Sequence, residues 1–261
     1  MTNHPETDDP TAAEARRAMR EGRWEGMTTY RCPGFVQANL VALPRDWAYE
    51  FLLYCQRNPR PCPVLEVTDA GCPEPKRCAP GADLRTDLAQ YNVYRDGSLL
   101  EQRQDVRDLW GPDTVGFLIG SSLTFDFPLQ RAGVELPPKV WVLRTELQTV
   151  PAGRLRGTMV VTLRWLRPRD AIIATQLTAR FPFNHGAPLH IGDPAQIGAD
   201  VREPISGEPI DQAPPDRLGV FWACGVTPQQ VALESKIPWM ITHTSGYGFI
   251  TDLRADEICL P

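Results

Sequence analysis

Apolar residues recur at helical spacing over 44–58, where Trp47, Ala48, Phe51, Leu52 and Cys55 form one stripe. Pro44 suits the first turn of this helix, and Asn58-Pro59 ends it, because proline disfavours helical geometry in the residue before it. Thr11-Ala-Ala-Glu14 has the form of a capping box and opens a helix that runs to Arg20 and stops at Gly22. Arg16, Arg17, Arg20 and Arg23 line that helix, either as a solvated face or with one guanidinium folded over a site to hold an anion. Shorter apolar runs predict strands over 35–43, with polar Gln37 and Asn39 embedded, and over 64–67, 115–120, 140–143, 158–166, 220–224, 241–243 and 249–251. Asp96-Gly97, between 91–95 and 98–101, is a strong hairpin signal. Further helices are predicted from Ser121-Ser122 to about Ala132, over 171–179 behind a cap at Asp170, and from Pro228 behind Thr227 as cap.

Strands followed directly by helices predict an α/β layer architecture. The texture changes around Pro137-Pro138, and the Arg-rich Arg164-Trp-Leu-Arg167 suggests a strand with one wet face. The expected organisation is an N-terminal extension with a short helix (1–27), a main α/β domain (28–132 plus 210–261) and an inserted α+β domain (133–209). Residues 1–10 are polar and acidic and are expected to form a disordered leader.

Composition narrows the class. At roughly 100–200 residues per domain, 261 residues make one large domain or two coupled ones. A net charge of −5 argues against general nucleic-acid binding, which needs a basic footprint. No apolar run approaches the length of a transmembrane helix, and the N-terminus does not resemble a signal peptide. Seven cysteines at irregular spacing make a poor disulfide framework, so a reducing cytoplasm is expected. Cys62, Cys72 and Cys78 lack any CxxC unit, and no metal or other cofactor is expected.

The candidate chemistry lies in stretches that would otherwise be loops. Asp83 and Arg85 follow a Pro/Gly turn and precede Thr86. An arginine there can clamp a substrate carboxylate through two parallel hydrogen bonds, or pair with Asp83 and order the loop. His185, His190 and Asp193 lie within nine residues, and His243 follows a strand. Histidine titrates near neutral pH and is the commonest general base, although such side chains also cap turns, and this trio could hold a divalent metal. Two strand ends, Gly120-Ser121-Ser122 and Cys224-Gly225-Val226-Thr227, offer backbone N–H groups that suit an anionic oxygen. Cys224 itself reads as a buried small hydrophobe. No GxSxG, phosphate-binding loop or dinucleotide fingerprint occurs.

These stretches together resemble one bacterial family. Pro33-Gly34-Phe-Val-Gln37-Ala-Asn39-Leu, Phe51 to Pro63, Leu65-Glu66-Val67, Ala79 to Asp87, Pro151-Ala-Gly153, Arg180-Phe-Pro182, His185 to Pro194, Phe221 to Pro228 and Ile241-Thr-His243 match it in order. The family is the "putative hydro-lyase" family of the D-glutamate cyclase type, and the resemblance covers about Gly34 to Leu253. It implies a three-layer main α/β domain with a smaller two-layer α+β domain inserted. It also implies dehydration of D-glutamate to 5-oxo-D-proline without an organic cofactor, by a carbon–oxygen lyase.

Lactam formation needs a cationic clamp, a base for the ammonium, donors for the oxyanion and an acid for the leaving hydroxyl. Arg85 is the expected clamp, His185 or His243 the base, and Asp83 the orienting group or acid. The backbone amides near Ser121–Ser122 or Gly225–Thr227 are the expected donors. β-Elimination of water from a hydroxy acid would use the same parts. Gln37, Asn39, Thr86, Ser121, Glu146, His190, Asp193, Thr227 and Tyr247 complete the expected substrate-binding set. The partner expected is a small carboxylic or amino acid, with neither nucleic acid nor membrane, and assembly as a homodimer stays open. A specialised enzyme for a modified or carrier-bound amino acid, or a non-catalytic binding protein on the same scaffold, are the alternatives. The family usually has Cys where Ser121 stands, Asn where Glu146 stands, Cys where Thr149 stands and His where Tyr247 stands. Ser121, Glu146 and Tyr247 are therefore expected near the cleft, retuning its substrate choice, with Asp83, Arg85, His185 and His243 converging on the same cleft.

Overall fold

The computed structural model describes residues 9–138 and 140–260, so most of the expected leader lies outside the described residues. The capping box forms as expected: the Thr11 hydroxyl accepts from the Glu14 N–H and the Glu14 carboxylate reaches back, opening α1 (Ala12–Arg20). Its arginines take up carboxylates of the chain itself. Arg16 is buried and forks onto Asp252, and Arg20 forks onto the fully buried Asp87.

The central strand, β1 (Phe35–Pro44), is buried on both faces. Val41 and Leu43 point one way, and Leu40 and Ala42 the other. Pro44 closes β1 and caps α2 (Arg45–Arg57), so it stands just before the helix rather than in its first turn. The α2 stripe is Trp47, Phe51, Tyr54 and Cys55, while Leu52 is exposed. The stripe packs on Phe117 and Ile119 of β5 (Thr114–Gly120), with the Phe51 and Phe117 rings edge to face at 4.8 Å. Full burial of such a phenylalanine contributes about 1.5–3 kcal/mol. The other face is covered by a loop-rich layer through Cys78, Leu84, Leu88 and Trp110.

The remaining strands of this sheet are β2 (Val64–Val67), β3 (Tyr91–Arg95), β4 (Ser98–Arg103), β10 (Trp239–His243) and β11 (Phe249–Arg254). Their order is β2-β5-β1-β10-β3-β4, with β11 also on β1. Asp96 and Gly97 turn the β3–β4 hairpin with positive φ at both positions, as that turn requires.

The second sheet has the order β6-β7-β9-β8, from β6 (Trp141–Gln148), β7 (Thr158–Leu166), β8 (His190–Ile191) and β9 (Leu218–Ala223). One face packs on α3 (Asp126–Arg131) and α4 (Pro168–Thr178) through Phe125, Leu129, Ala171, Ala174, Val220 and Trp222. Pro168 opens α4, so Asp170 lies in its first turn rather than capping it. The second sheet extends past residue 209, because β9 completes its backbone pairing with β7 and β8. All pairings described in both sheets are antiparallel. The α/β class and its two sheet units are as the sequence predicts. α5 (Thr227–Glu234) follows β9 and packs Val231 and Ala232 beside α2, and α6 (Ala255–Ile258) follows β11. Among the described residues no helix is long and apolar enough to cross a membrane.

Candidate active site

Three strands end at one place, for a reason visible in the register. Ala38 pairs with Gly120, the last residue of β5, on one side and with Phe249, the first residue of β11, on the other. Val41 pairs with Thr242 near the end of β10. The edge of β1 at Asn39 and Leu40 therefore faces the connection 244–248. β5 and β10 both run antiparallel to β1, so their carboxyl ends lie at the same end of the sheet. The carboxyl end of β9 reaches the same place from the second sheet. Between the two sheet units lies a cavity of about 470 Å³. Its buried side chains are Asn39, Ser121, Ser122, Thr162, Cys224 and His243.

Two glycines make this close approach workable. A Cβ on Gly120 would fall inside the Phe183 carbonyl, and one on Gly225 would overlap the Asn39 amide. That amide donates to the Gly120 carbonyl at 3.1 Å, tying the end of β5 to β1.

His243 ends β10, and its Nδ1 lies 2.9 Å from the Gln229 amide nitrogen, supplied by α5. Burial pushes its pKa down to about 4, against the raising effect of the Leu40 carbonyl, so the ring is neutral at neutral pH. Burial also raises the Cys224 thiol, with the Thr162 side chain and the Val226 N–H acting the other way. Cys224 is accordingly a protonated thiol at neutral pH.

The turn after β5 divides its donors. The Ser121 N–H donates to the Gln37 carbonyl at 3.1 Å, and the Ser121 hydroxyl accepts from Leu123 N–H at 3.3 Å. Ser122 starts a short 3-10 turn (Ser122–Phe125), where the first N–H groups have no partner within the turn itself. No described residue accepts the Ser122 N–H. Behind Ser122, Arg164 donates to its hydroxyl at 3.4 Å and to Asp126 Oδ1 at 2.7 Å. The Arg164 guanidinium also lies over the Phe125 and Trp222 rings, at 5.3 and 5.2 Å. Burial raises Asp126 to about 6, opposed by Arg164. The strand carrying Arg164 has no wet face there, since this side chain is 1% exposed.

The structure brings Asn39, Ser121 and His243 together, beside the two strand ends singled out in the sequence. It does not bring Asp83, Arg85 and His185 to them. Arg85 forks onto Asp83 at 2.9 and 2.8 Å, and the Asp83 hydrogen bond raises the Arg85 pKa. This is the loop-ordering alternative. Thr86 donates to the buried Asp87 at 3.0 Å. His185 sits at φ 80°, its Nδ1 2.8 Å from the Arg60 carbonyl, and burial pushes it down to about 4. It joins two loops and does not line the cavity. His190 turns Nε2 to the Asp193 carbonyl and packs at a tilt against the Phe221 ring, while Asp193 caps the 3-10 turn Pro194–Ile197. Gln37 is buried and donates to the Thr28 carbonyl. The Thr227 hydroxyl is held by the backbone of Val160, so it does not cap α5.

Of the three departures expected near the cleft, only Ser121 lines it. Glu146 is exposed on β6 against Gly198, and Tyr247 packs its side chain toward α1. Thr149 bonds the Gly157 carbonyl. Thr162 and Gln229 were not singled out in the sequence, and Arg164 reads there as part of a wet strand face, not as a site residue. The signal for two of them was present: Thr162 and Arg164 are polar at alternate positions of one apolar strand. Among the described residues no group of three or more His, Cys, Asp or Glu could hold a metal ion.

Fold and site together define a two-sheet α/β protein with a polar-floored cavity beyond three strand ends. A sequence model of the D-glutamate cyclase family matches residues 115–252. A protein named "Putative hydro-lyase" from Geobacillus kaustophilus is 49% identical over 95% of this chain and 96% of its own. One with the same name from Stutzerimonas stutzeri is 45% identical over 96% of each chain. Another from Thermoanaerobacter is 48% identical over 94% of each. The chain belongs to the D-glutamate cyclase family.

Proposed function

We propose that the protein is a cytoplasmic hydro-lyase that removes water from a small amino or hydroxy acid in this cavity, as in closure of D-glutamate to 5-oxo-D-proline. The observation that carries the reading is the convergence of the β5, β9 and β10 ends on one cavity. It brings a neutral imidazole, two serine hydroxyls and the Ser122 turn together.

In lactam closure the amine attacks the side-chain carboxyl carbon, a C–N bond forms, and the C–O bond to the departing hydroxyl breaks. The ammonium nitrogen sheds two protons in all, and the carboxylate oxygen that departs takes up two and leaves as water. His243 relays them one at a time, with the Gln229 amide turned so that its oxygen accepts from Nδ1–H and leaves the Nε2 lone pair free. An imidazole pushed down to about 4 is uncharged at neutral pH but a weak base, so it takes a proton from the nitrogen as the C–N bond forms and the nitrogen becomes acidic, and its protonated form gives the proton up readily. The Ser122 N–H receives the developing oxyanion, for which one well-placed donor contributes about 3–4 kcal/mol. Asn39 and Ser121 orient the acid. Holding amine and carboxyl in contact supplies a further part of the barrier, up to about 7–11 kcal/mol at the extreme.

For β-elimination from a hydroxy acid, the same imidazole would take a C–H proton instead. The test incubates purified protein with D-glutamate and, separately, with a panel of hydroxy acids. Loss of primary amine reports lactam closure, and ultraviolet absorbance of a new alkene reports elimination. Absence of both across the panel contradicts the reading.

A further inference from the structure

The lining of the cavity is sorted by depth. Every side chain on its buried floor, Asn39, Ser121, Ser122, Thr162, Cys224 and His243, carries a polar group or a thiol. Every aliphatic or aromatic lining side chain lies further out. Leu123, Val140, Val142 and Val226 are half-buried, while Met27 and Tyr30 at the mouth are 56% and 42% exposed. Thr29, Ser206, Ser245 and the exposed Glu208 are interspersed among them, so the outer wall is mixed but holds all the bulky apolar surface. A pocket made only for a small polar acid has no use for such a wall, since exposed apolar surface is costly unless something covers it.

Size points the same way. At about 470 Å³ the cavity falls within the roughly 300–1,000 Å³ range of sites that hold drug-sized ligands, whereas glutamate has only about ten non-hydrogen atoms. The floor also suits one carboxylate better than two. Its described side chains include no lysine or arginine, so the polar groups they offer an anion there are hydroxyls and the Asn39 amide.

We infer that the substrate is amphipathic: an amino- or hydroxy-acid head on the polar floor, carrying an apolar substituent that lies against Leu123, Val140, Val142 and Val226. The inference rests on the hydro-lyase reading and names its substrate class. The head supplies the reacting groups, and the tail fills the outer wall and excludes water from His243.

The experiment measures binding of 3-hydroxybutanoate, 3-hydroxyhexanoate, 3-hydroxyoctanoate and D-glutamate by calorimetry, with turnover followed in parallel. Two fully buried methylenes are worth about tenfold in affinity, so a half-buried tail gains at least about threefold for each two carbons added. The wild type is expected to show that rise and to bind the eight-carbon acid more tightly than D-glutamate. Val140→Asp is expected to abolish the dependence on chain length. Val140→Thr, which keeps the side-chain shape, is expected to weaken it while retaining the wild-type melting temperature. Affinity independent of chain length, tighter binding of D-glutamate, or a dependence that survives both substitutions overturns the inference. Turnover of D-glutamate with no chain-length effect sinks the inference alone. Chain-length-dependent binding without turnover of any probe sinks the hydro-lyase reading instead.

Discussion

Gly225→Ala tests how the site is built. A Cβ at Gly225 would overlap the Asn39 amide nitrogen and lie 2.8 Å from Asn39 Cγ and 3.3 Å from the Gly120 carbonyl oxygen. Asn39 must therefore move, and its 3.1 Å bond to Gly120 goes with it. Overpacking of this kind costs about 1–3 kcal/mol, and stripping the buried carbonyl of its donor adds about 1 kcal/mol or more. The expected destabilisation is about 2–4 kcal/mol, read from urea unfolding followed by tryptophan fluorescence. Asn39→Ala removes the obstructing amide, so in that background Gly225→Ala should cost less than about 1 kcal/mol. The coupling between the two sites should then be about 1–3 kcal/mol, well above the roughly 0.5 kcal/mol scatter of independent sites. Additive effects of the two substitutions would refute the account of Gly225 as a close-approach glycine.

Other outcomes follow from the buried charges and histidines. Asp126→Asn strands the Arg164 guanidinium, which is 1% exposed, and should cost about 3–5 kcal/mol, whereas Asp126→Leu with Arg164→Met should cost less than either single change. An equal or larger loss in the double variant would contradict this. His185 and His243 are lowered from 6.5 to about 4, so their stabilising contribution is complete above 6.5 and is lost as the pH falls through about 4. Each is worth about 3 kcal/mol across that window. Asp126, raised from 3.8 to about 6, acts with the opposite sign and gains as the pH falls below 6. The two histidines outweigh it, so the urea midpoint should fall from about pH 7 to about pH 4.5, and a flat or rising midpoint would be inconsistent with neutral buried imidazoles.

Much of the fold was legible because periodicity is a local property. The capping box at Thr11, the Asp96-Gly97 hairpin and the α2 stripe each depend on neighbours in sequence. The partner of β9 was not legible, since a buried strand reads the same in either sheet and only the register with β7 decides. The site divides in the same way. The two strand ends were visible as glycine-hydroxyl and glycine-thiol turns, and both reach the cavity. Asp83 and Arg85 looked equally functional, but a carboxylate and a guanidinium two residues apart can satisfy each other, and here they do. His185 and His243 have the same composition signal and similarly lowered pKa values, yet only His243 ends a strand beside the cavity. Arg164 read as a solvated strand arginine because its ion partner, Asp126, is distant in sequence.

The central claim is that chemistry takes place beyond the β5, β9 and β10 ends and not at the 79–87 loop. Its most direct test compares kcat/KM for His243→Gln and Arg85→Ala on the best substrate of the panel. Loss of a general acid–base group costs about 10²–10⁴-fold, whereas a part-exposed pair that only orders its loop should leave the rate within about twofold. The account predicts a loss of at least about a hundredfold for His243→Gln and a near-wild-type rate for Arg85→Ala. A wild-type rate for His243→Gln, with a collapse for Arg85→Ala, would contradict it.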